Sequence, residues 1–172
     1  MKTINIALLG FGTVARGAFD LLTGNKKEIT NRTDVDITIS KIYVRDPKKH
    51  EDKTLPVGTQ FVTDVADIMM DDSIDIVVEL MGGTTFAKEC VEAALKAKKN
   101  VVTANKDLMA EAGPYLFDLA GKNGVDLRFE AAVLGAIPII RTMYDSLGGN
   151  KISEIVGIMN RTTNFILSKM TE

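Results

Sequence analysis

Gly10, Gly12 and Ala15 follow the apolar run Ile4–Leu9 at the spacing G-x-G-x-x-A, and a helix-like pattern begins directly after them. Glycines so placed allow a tight turn and let the backbone approach a pyrophosphate. The helix that follows offers unpaired N–H groups and a positive dipole end to the same anion. A strand before the glycines and a helix after them is the context in which this spacing predicts dinucleotide binding rather than a plain turn.

Three further groups lie where the same sheet edge would put them. Arg45 follows the second strand, where an acidic residue bonds a ribose 2′-OH and an arginine accommodates a 2′-phosphate. Arg45, with Lys48 and Lys49 behind it, favours NADP; Asp46 keeps NAD open, and a solvated charged loop is the alternative. Val101-Val-Thr-Ala-Asn-Lys106 puts an asparagine and a lysine just past the end of another strand. A lysine there can polarise a carbonyl oxygen or exchange a proton with it, or simply be a surface residue at a helix start. Glu130 precedes an irregular turn containing Gly135; a carboxylate plus backbone carbonyls is a ligand set for a hard cation, and a loop glutamate is the plainer reading.

The elements that must hold these groups alternate along the chain. Apolar runs predict strands at Ile4–Leu9, Ile37–Val44, Phe61–Thr63, Ile74–Leu80, Val101–Thr103 and Leu127–Glu130. Amphipathic stretches predict helices at Thr13–Leu22, Val65–Met70, Thr84–Lys98 and Lys106–Asn123. Strand–helix–strand repetition implies right-handed crossovers and an α/β fold, a Rossmann-like doubly wound parallel sheet. The polar stretch Gly24–Asp36 is expected as a connection and Asp46–Thr59 as an exposed loop. Past residue 132 the pattern changes: a helix opens near Pro138 and closes at Gly148-Gly149, a strand is expected at Ile152–Met159, and a half-helix follows. This reads as residues 1–132 forming a nucleotide-binding domain and 133–172 the start of an incomplete α+β domain.

Composition narrows the function classes. A net charge of −2 supplies no basic field for nucleic acid or an anionic membrane. No apolar run reaches bilayer-spanning length, and the N-terminus lacks a signal-peptide pattern. One cysteine excludes an intrachain disulfide and suits a reducing compartment, so the expected location is cytoplasmic. Cys90 falls on the apolar face of a predicted helix, and His50 lies in the charged loop, where it is expected to be solvated.

The motifs VVTANK (Val101–Lys106), EAxVxGxIPII (Glu130–Ile140) and NxTTNxIL (Asn160–Leu167), together with GFGTV (Gly10–Val14), resemble homoserine dehydrogenase in order and spacing. That resemblance implies NAD(P)-dependent interconversion of L-aspartate 4-semialdehyde and L-homoserine, a step toward threonine and methionine. It implies a cofactor site at Phe11, Thr13, Val14, Arg45 and Lys106, with Gly82-Gly83 and Thr103 lining the nicotinamide end. Lys106 inherits the role beside the reacting carbonyl. A monovalent cation, usually sodium, is implied at Glu130, Val133, Gly135 and Ile137.

The sequence departs from that family's pattern at Leu134, Ala136 and Arg161, where glycine is usual. The family's second catalytic lysine and its substrate-holding carboxylates fall after Glu172, so this chain is expected to bind cofactor without a complete active site. The implied partners are a small-molecule substrate and another copy of the chain, with no nucleic acid or membrane. The alternatives are a non-catalytic NAD(P)-binding module or another amino-acid or semialdehyde dehydrogenase; a phosphorylating one would need a loop cysteine as nucleophile.

Overall fold

β1 (Lys2–Leu9) lies inside the sheet, and its period-two alternation divides the apolar residues into two cores. Ile6 and Leu8 join Phe11, Ala15 and Phe19 on one side, the last two from α1 (Thr13–Gly24). Ala7 and Leu9 face the other side, where α4 (Thr85–Lys96) and α5 (Lys106–Asn123) pack through Val91, Leu95, Leu108 and Leu116. The computed structural model describes residues 1–157 and 161–171.

Among the described residues, β1, β2 (Val35–Tyr43), β3 (Gln60–Val62), β4 (Ile76–Glu79), β5 (Asn100–Thr103) and β6 (Leu127–Arg128) form one sheet in the order β3-β2-β1-β4-β5-β6. Every adjacent pair is parallel. The chain winds outward from β1 to β3, then returns to β4 on the other side of β1. This is the expected doubly wound sheet. Its order reverses between β1 and β4, and at such a point the loops leaving the two strands diverge and open a crevice.

The elements predicted up to residue 130 are present with ends shifted by at most two residues, and α3 (Ala66–Met69) is the shortened form of the predicted helix at Val65–Met70. The connection expected at Gly24–Asp36 contains α2 (Lys26–Thr33). No residue of α2 is buried, so it carries no apolar stripe for periodicity to detect. Ion pairs Arg32–Glu28 and Lys26–Asp36, both 2.7 Å, and a left-handed cap at Asp34 accompany it instead. The loop expected at Asp46–Thr59 contains a 3-10 turn at Pro47–His50.

Glu130 does not end a strand as expected. β6 stops at Arg128, and Glu130 opens a short helix, α6 (Glu130–Val133). Beyond it α7 (Ile139–Arg141) runs into a π-helical turn at Thr142–Ser146, close to the helix expected between Pro138 and Gly148. The strand expected at Ile152–Met159 is absent from its described part, since residues 151–157 are irregular; Ile158 and Met159 lie outside the described residues. A strand requires a partner edge for its N–H and C=O groups, and apolar character alone does not supply one. α8 (Arg161–Thr171) follows.

Candidate functional site

Gly10 ends β1 in a conformation with φ +93°, closed to ordinary L-residues, and its N–H donates to the Tyr43 carbonyl at 3.0 Å. A Cβ there would also stand 3.1 Å from Met81 Cγ. The tight turn leads to Gly12, which caps α1 without contributing any side-chain hydrogen bond to the first-turn N–H groups. No acidic residue occupies that first turn. The first-turn N–H groups of α1 are therefore left without a side-chain acceptor, and such groups are free to meet an anion.

Around it lies a crevice of about 760 Å³ lined by Gly10, Phe11, Gly12, Arg45, Asp46, Lys49, His50, Met81, Gly82 and Phe86, among others. Of the sequence-predicted cofactor residues, the fold brings Gly10, Phe11, Gly12, Arg45 and Gly82 into this lining. Thr13 and Val14 are exposed on the first turn of α1, with Val14 61% accessible. Arg45 is exposed and makes no ion pair among the described residues. Asp46 is partly committed elsewhere: one of its carboxylate oxygens accepts the Lys48 N–H at 3.1 Å and caps the 3-10 turn.

His50 is not solvated as expected. It is half-buried against Phe11 and Phe61, with ring centroids 5.5 and 5.6 Å away. The Arg16 guanidinium lies 3.0 Å from His50 Nδ1 and grips Asp52 with both terminal nitrogens, at 2.7 and 3.1 Å. That hydrogen bond holds the Asp52 carboxyl below its ordinary range and raises Arg16 further. Lys53 pairs with Asp20 of α1. The loop carrying Arg45 and Lys49 is thus clamped onto α1, a tertiary arrangement that the polar composition of the loop conceals.

Behind the Met81-Gly82 part of the lining stands a residue that the sequence did not single out. Glu79, the last residue of β4, is fully buried. Its Oε1 accepts the N–H groups of Met81 at 2.8 Å and Gly82 at 3.3 Å, and its Oε2 accepts the Thr103 hydroxyl at 2.6 Å. Thr103 Oγ1 accepts the Asn105 N–H at 3.0 Å. Asn105 then reaches back, donating through Nδ2 to the Gly83 carbonyl at 2.7 Å while its Oδ1 caps α5 on the Leu108 N–H at 3.1 Å. Thr103, expected to line the nicotinamide end, is fully buried and is not among the crevice-lining residues; its hydroxyl is directed to Glu79 instead. The only sequence signal for Glu79 is a carboxylate closing an otherwise apolar strand.

Lys106 is the first residue of α5, exposed and without a hydrogen-bond or ion-pair partner among the described residues. It borders a shallow apolar depression with Met109, Pro114, Phe129 and Val133 rather than the crevice around Gly10. A cation at a helix N-terminus opposes the helix dipole, so its placement is not explained by helix stability.

Of the cation ligands implied by sequence, the Glu130 carboxylate accepts the N–H groups of Ile140 at 2.8 Å and Arg141 at 2.9 Å, which fixes it at the head of α7. The Ile137 carbonyl accepts the Ile139 N–H at 2.9 Å. Ala136 between these residues adopts φ +62°, so the backbone requires a left-handed residue at this position, whereas Leu134 is extended at φ −139°. Cys90, on the buried face of α4, packs inside the core; burial, with Glu79 and Glu89 nearby, pushes its thiol up to about 11. A thiol so buried packs as a small hydrophobe.

The homoserine dehydrogenase NAD-binding domain family matches residues 10–130, and the homoserine dehydrogenase family matches residues 138–172. The homoserine dehydrogenase of Lactococcus lactis subsp. lactis is 48% identical over 99% of this chain and 40% of its own length. That of Bacillus subtilis is 42% identical over 99% of this chain and 39% of its own. The crystal structure of a homoserine dehydrogenase from Thiobacillus denitrificans superposes with a TM-score of 0.88 at 44% identity, covering 98% of this chain and 39% of that one. The chain thus spans about two-fifths of the length of these relatives, from a nucleotide-binding crevice to the Asn160–Leu167 motif. With matches of this extent to both family regions, it belongs to the homoserine dehydrogenase family.

Proposed function

We propose that this chain is the NADP-binding part of a cytoplasmic enzyme interconverting L-aspartate 4-semialdehyde and L-homoserine, within threonine and methionine biosynthesis. The domain boundary lies near residues 132 and 133. Family membership supports the reaction. The observation that carries the cofactor choice is Arg45, a crevice-lining guanidinium with no ion pair among the described residues, beside an Asp46 already engaged in capping. A 2′-phosphate needs such a cation, whereas a ribose hydroxyl pair needs a free carboxylate.

NADP when bound supplies or takes up the hydride. The uncapped N–H groups of α1 would hold its pyrophosphate, and the Gly82-Gly83 turn would border the nicotinamide. Lys106, one residue past the Asn105 that binds Gly83, donates a hydrogen bond or proton to the carbonyl oxygen as negative charge develops there. Glu130 and the carbonyls of Val133, Gly135 and Ile137 are all oxygen donors with a single negative charge, a set suited to sodium. The cation would tie the turn after α6 to the head of α7. The substrate is a small molecule, and the full-length enzyme is a homo-oligomer.

The test is a pair of titrations. Arg45→Ala should weaken NADPH binding by about ten- to a hundredfold, the scale of one charge-assisted hydrogen bond, and leave NADH binding nearly unchanged. Equal losses for the two cofactors would remove Arg45 from the phosphate site.

A further inference from the structure

We propose that Glu79 is a positioning residue that sets the nicotinamide end of the crevice and the start of α5 together; this rests on the cofactor reading above. A fully buried carboxylate is costly unless hydrogen bonds replace its hydration. Glu79 receives three, and their donors come from two different strand ends. Gly82 and Gly83 have φ values of +76° and +74°, and a Cβ on either would meet nothing within 4 Å. Two successive glycines in open space have wide conformational freedom, and local packing does not restrain them.

What restrains them is a closed ring of hydrogen bonds. It runs from Glu79 to the Met81 and Gly82 N–H groups, through the Gly83 carbonyl to Asn105, on to Thr103, and back to Glu79. The same Asn105 caps α5, whose first residue is Lys106. One carboxylate therefore couples the turn that meets the cofactor to the helix start that presents the lysine. Glu79 touches neither cofactor nor substrate; it acts through the Met81–Gly83 turn and through Thr103.

Isosteric variants of the 172-residue chain test this. Glu79→Gln retains shape and one acceptor but loses the charge, Thr103→Val removes the hydroxyl, and Thr103→Ser keeps it. Each is titrated with NADPH, which on the cofactor reading reaches the Gly82-Gly83 turn, and with adenosine 2′,5′-bisphosphate, which carries the 2′-phosphate but lacks the nicotinamide. Glu79→Gln and Thr103→Val should weaken NADPH by about tenfold or more, the effect of losing a hydrogen bond to a charged group. Their affinity for the bisphosphate should match that of the unaltered chain, and Thr103→Ser should restore NADPH binding. Equal losses for both ligands, or unaltered NADPH affinity in both variants, would overturn the proposal. An unaltered chain that binds neither ligand would sink the cofactor reading and this inference with it. If circular dichroism shows Glu79→Gln unfolded, the Thr103→Val and Thr103→Ser pair decides.

Discussion

Lys106 is a single residue whose charge works against local stability. At the first position of α5 its ammonium faces the positive end of the helix, where an acidic residue would contribute roughly 0.3–1 kcal/mol. Its removal should therefore leave the thermal midpoint of this chain unchanged or slightly raised. In the full-length enzyme, Lys106→Ala should lower kcat by about 10²–10⁴-fold, the scale of a positioned acid or base, with a smaller effect on cofactor affinity. Steady-state kinetics and thermal unfolding of the same variant separate the two effects. A near-normal kcat would make Lys106 an ordinary surface lysine. Arg45 differs in having no ion-pair partner among the described residues while lining the crevice around Gly10.

At the scale of elements, the turn from α6 to α7 holds strain that can be located. Ala136 sits at φ +62°, and an L-residue in that region costs about 1–2 kcal/mol relative to right-handed backbone. Leu134 and Ala136 both stand where the resembled family usually has glycine, yet Ala136 alone occupies the left-handed region. Ala136→Gly should stabilise the chain by about 0.5–1 kcal/mol after the extra chain entropy of glycine is discounted. Leu134→Gly should destabilise it. Urea unfolding reads both as shifts of the midpoint at constant slope. If Ala136→Gly lowers the midpoint, the left-handed conformation does not persist in solution.

For the whole molecule, the uneven distribution of burial sets the behaviour. The sheet and its flanking helices enclose the two cores, while the last described segments leave large apolar side chains in solvent. Ile152, Ile155 and Val156 are 41%, 49% and 86% accessible, and Phe165, Ile166, Leu167 and Met170 of α8 range from 52% to 75%. Exposed apolar patches beyond a few hundred Å² mark interfaces or aggregation sites. The 172-residue chain should self-associate at micromolar concentration, and a chain ending at Gly148 should do so less. Light scattering on both provides the measurement. A monodisperse 172-residue monomer at high concentration would count against association through these residues.

The sequence determined what depends on neighbours a few residues apart. Strands of β-branched and apolar residues, the turn at Gly10 and Gly12, the amphipathic faces of α4 and α5, and the position of Arg45 after a strand all follow from local spacing, and the alternation of elements carried the sheet with them. Glu79 could not be found this way, because its partner Thr103 is 24 residues distant and only the pairing of β4 with β5 brings the two together. The placing of His50 depends likewise on Arg16, 34 residues before it. α2 escaped because it buries nothing, and the strand expected from Ile152 failed because strand formation is decided by an available edge rather than by the residues that would form it. Local spacing supplied the crevice and its charge. Tertiary packing decided which buried groups hold it in shape, since a buried carboxylate is tolerable only where distant donors converge on it.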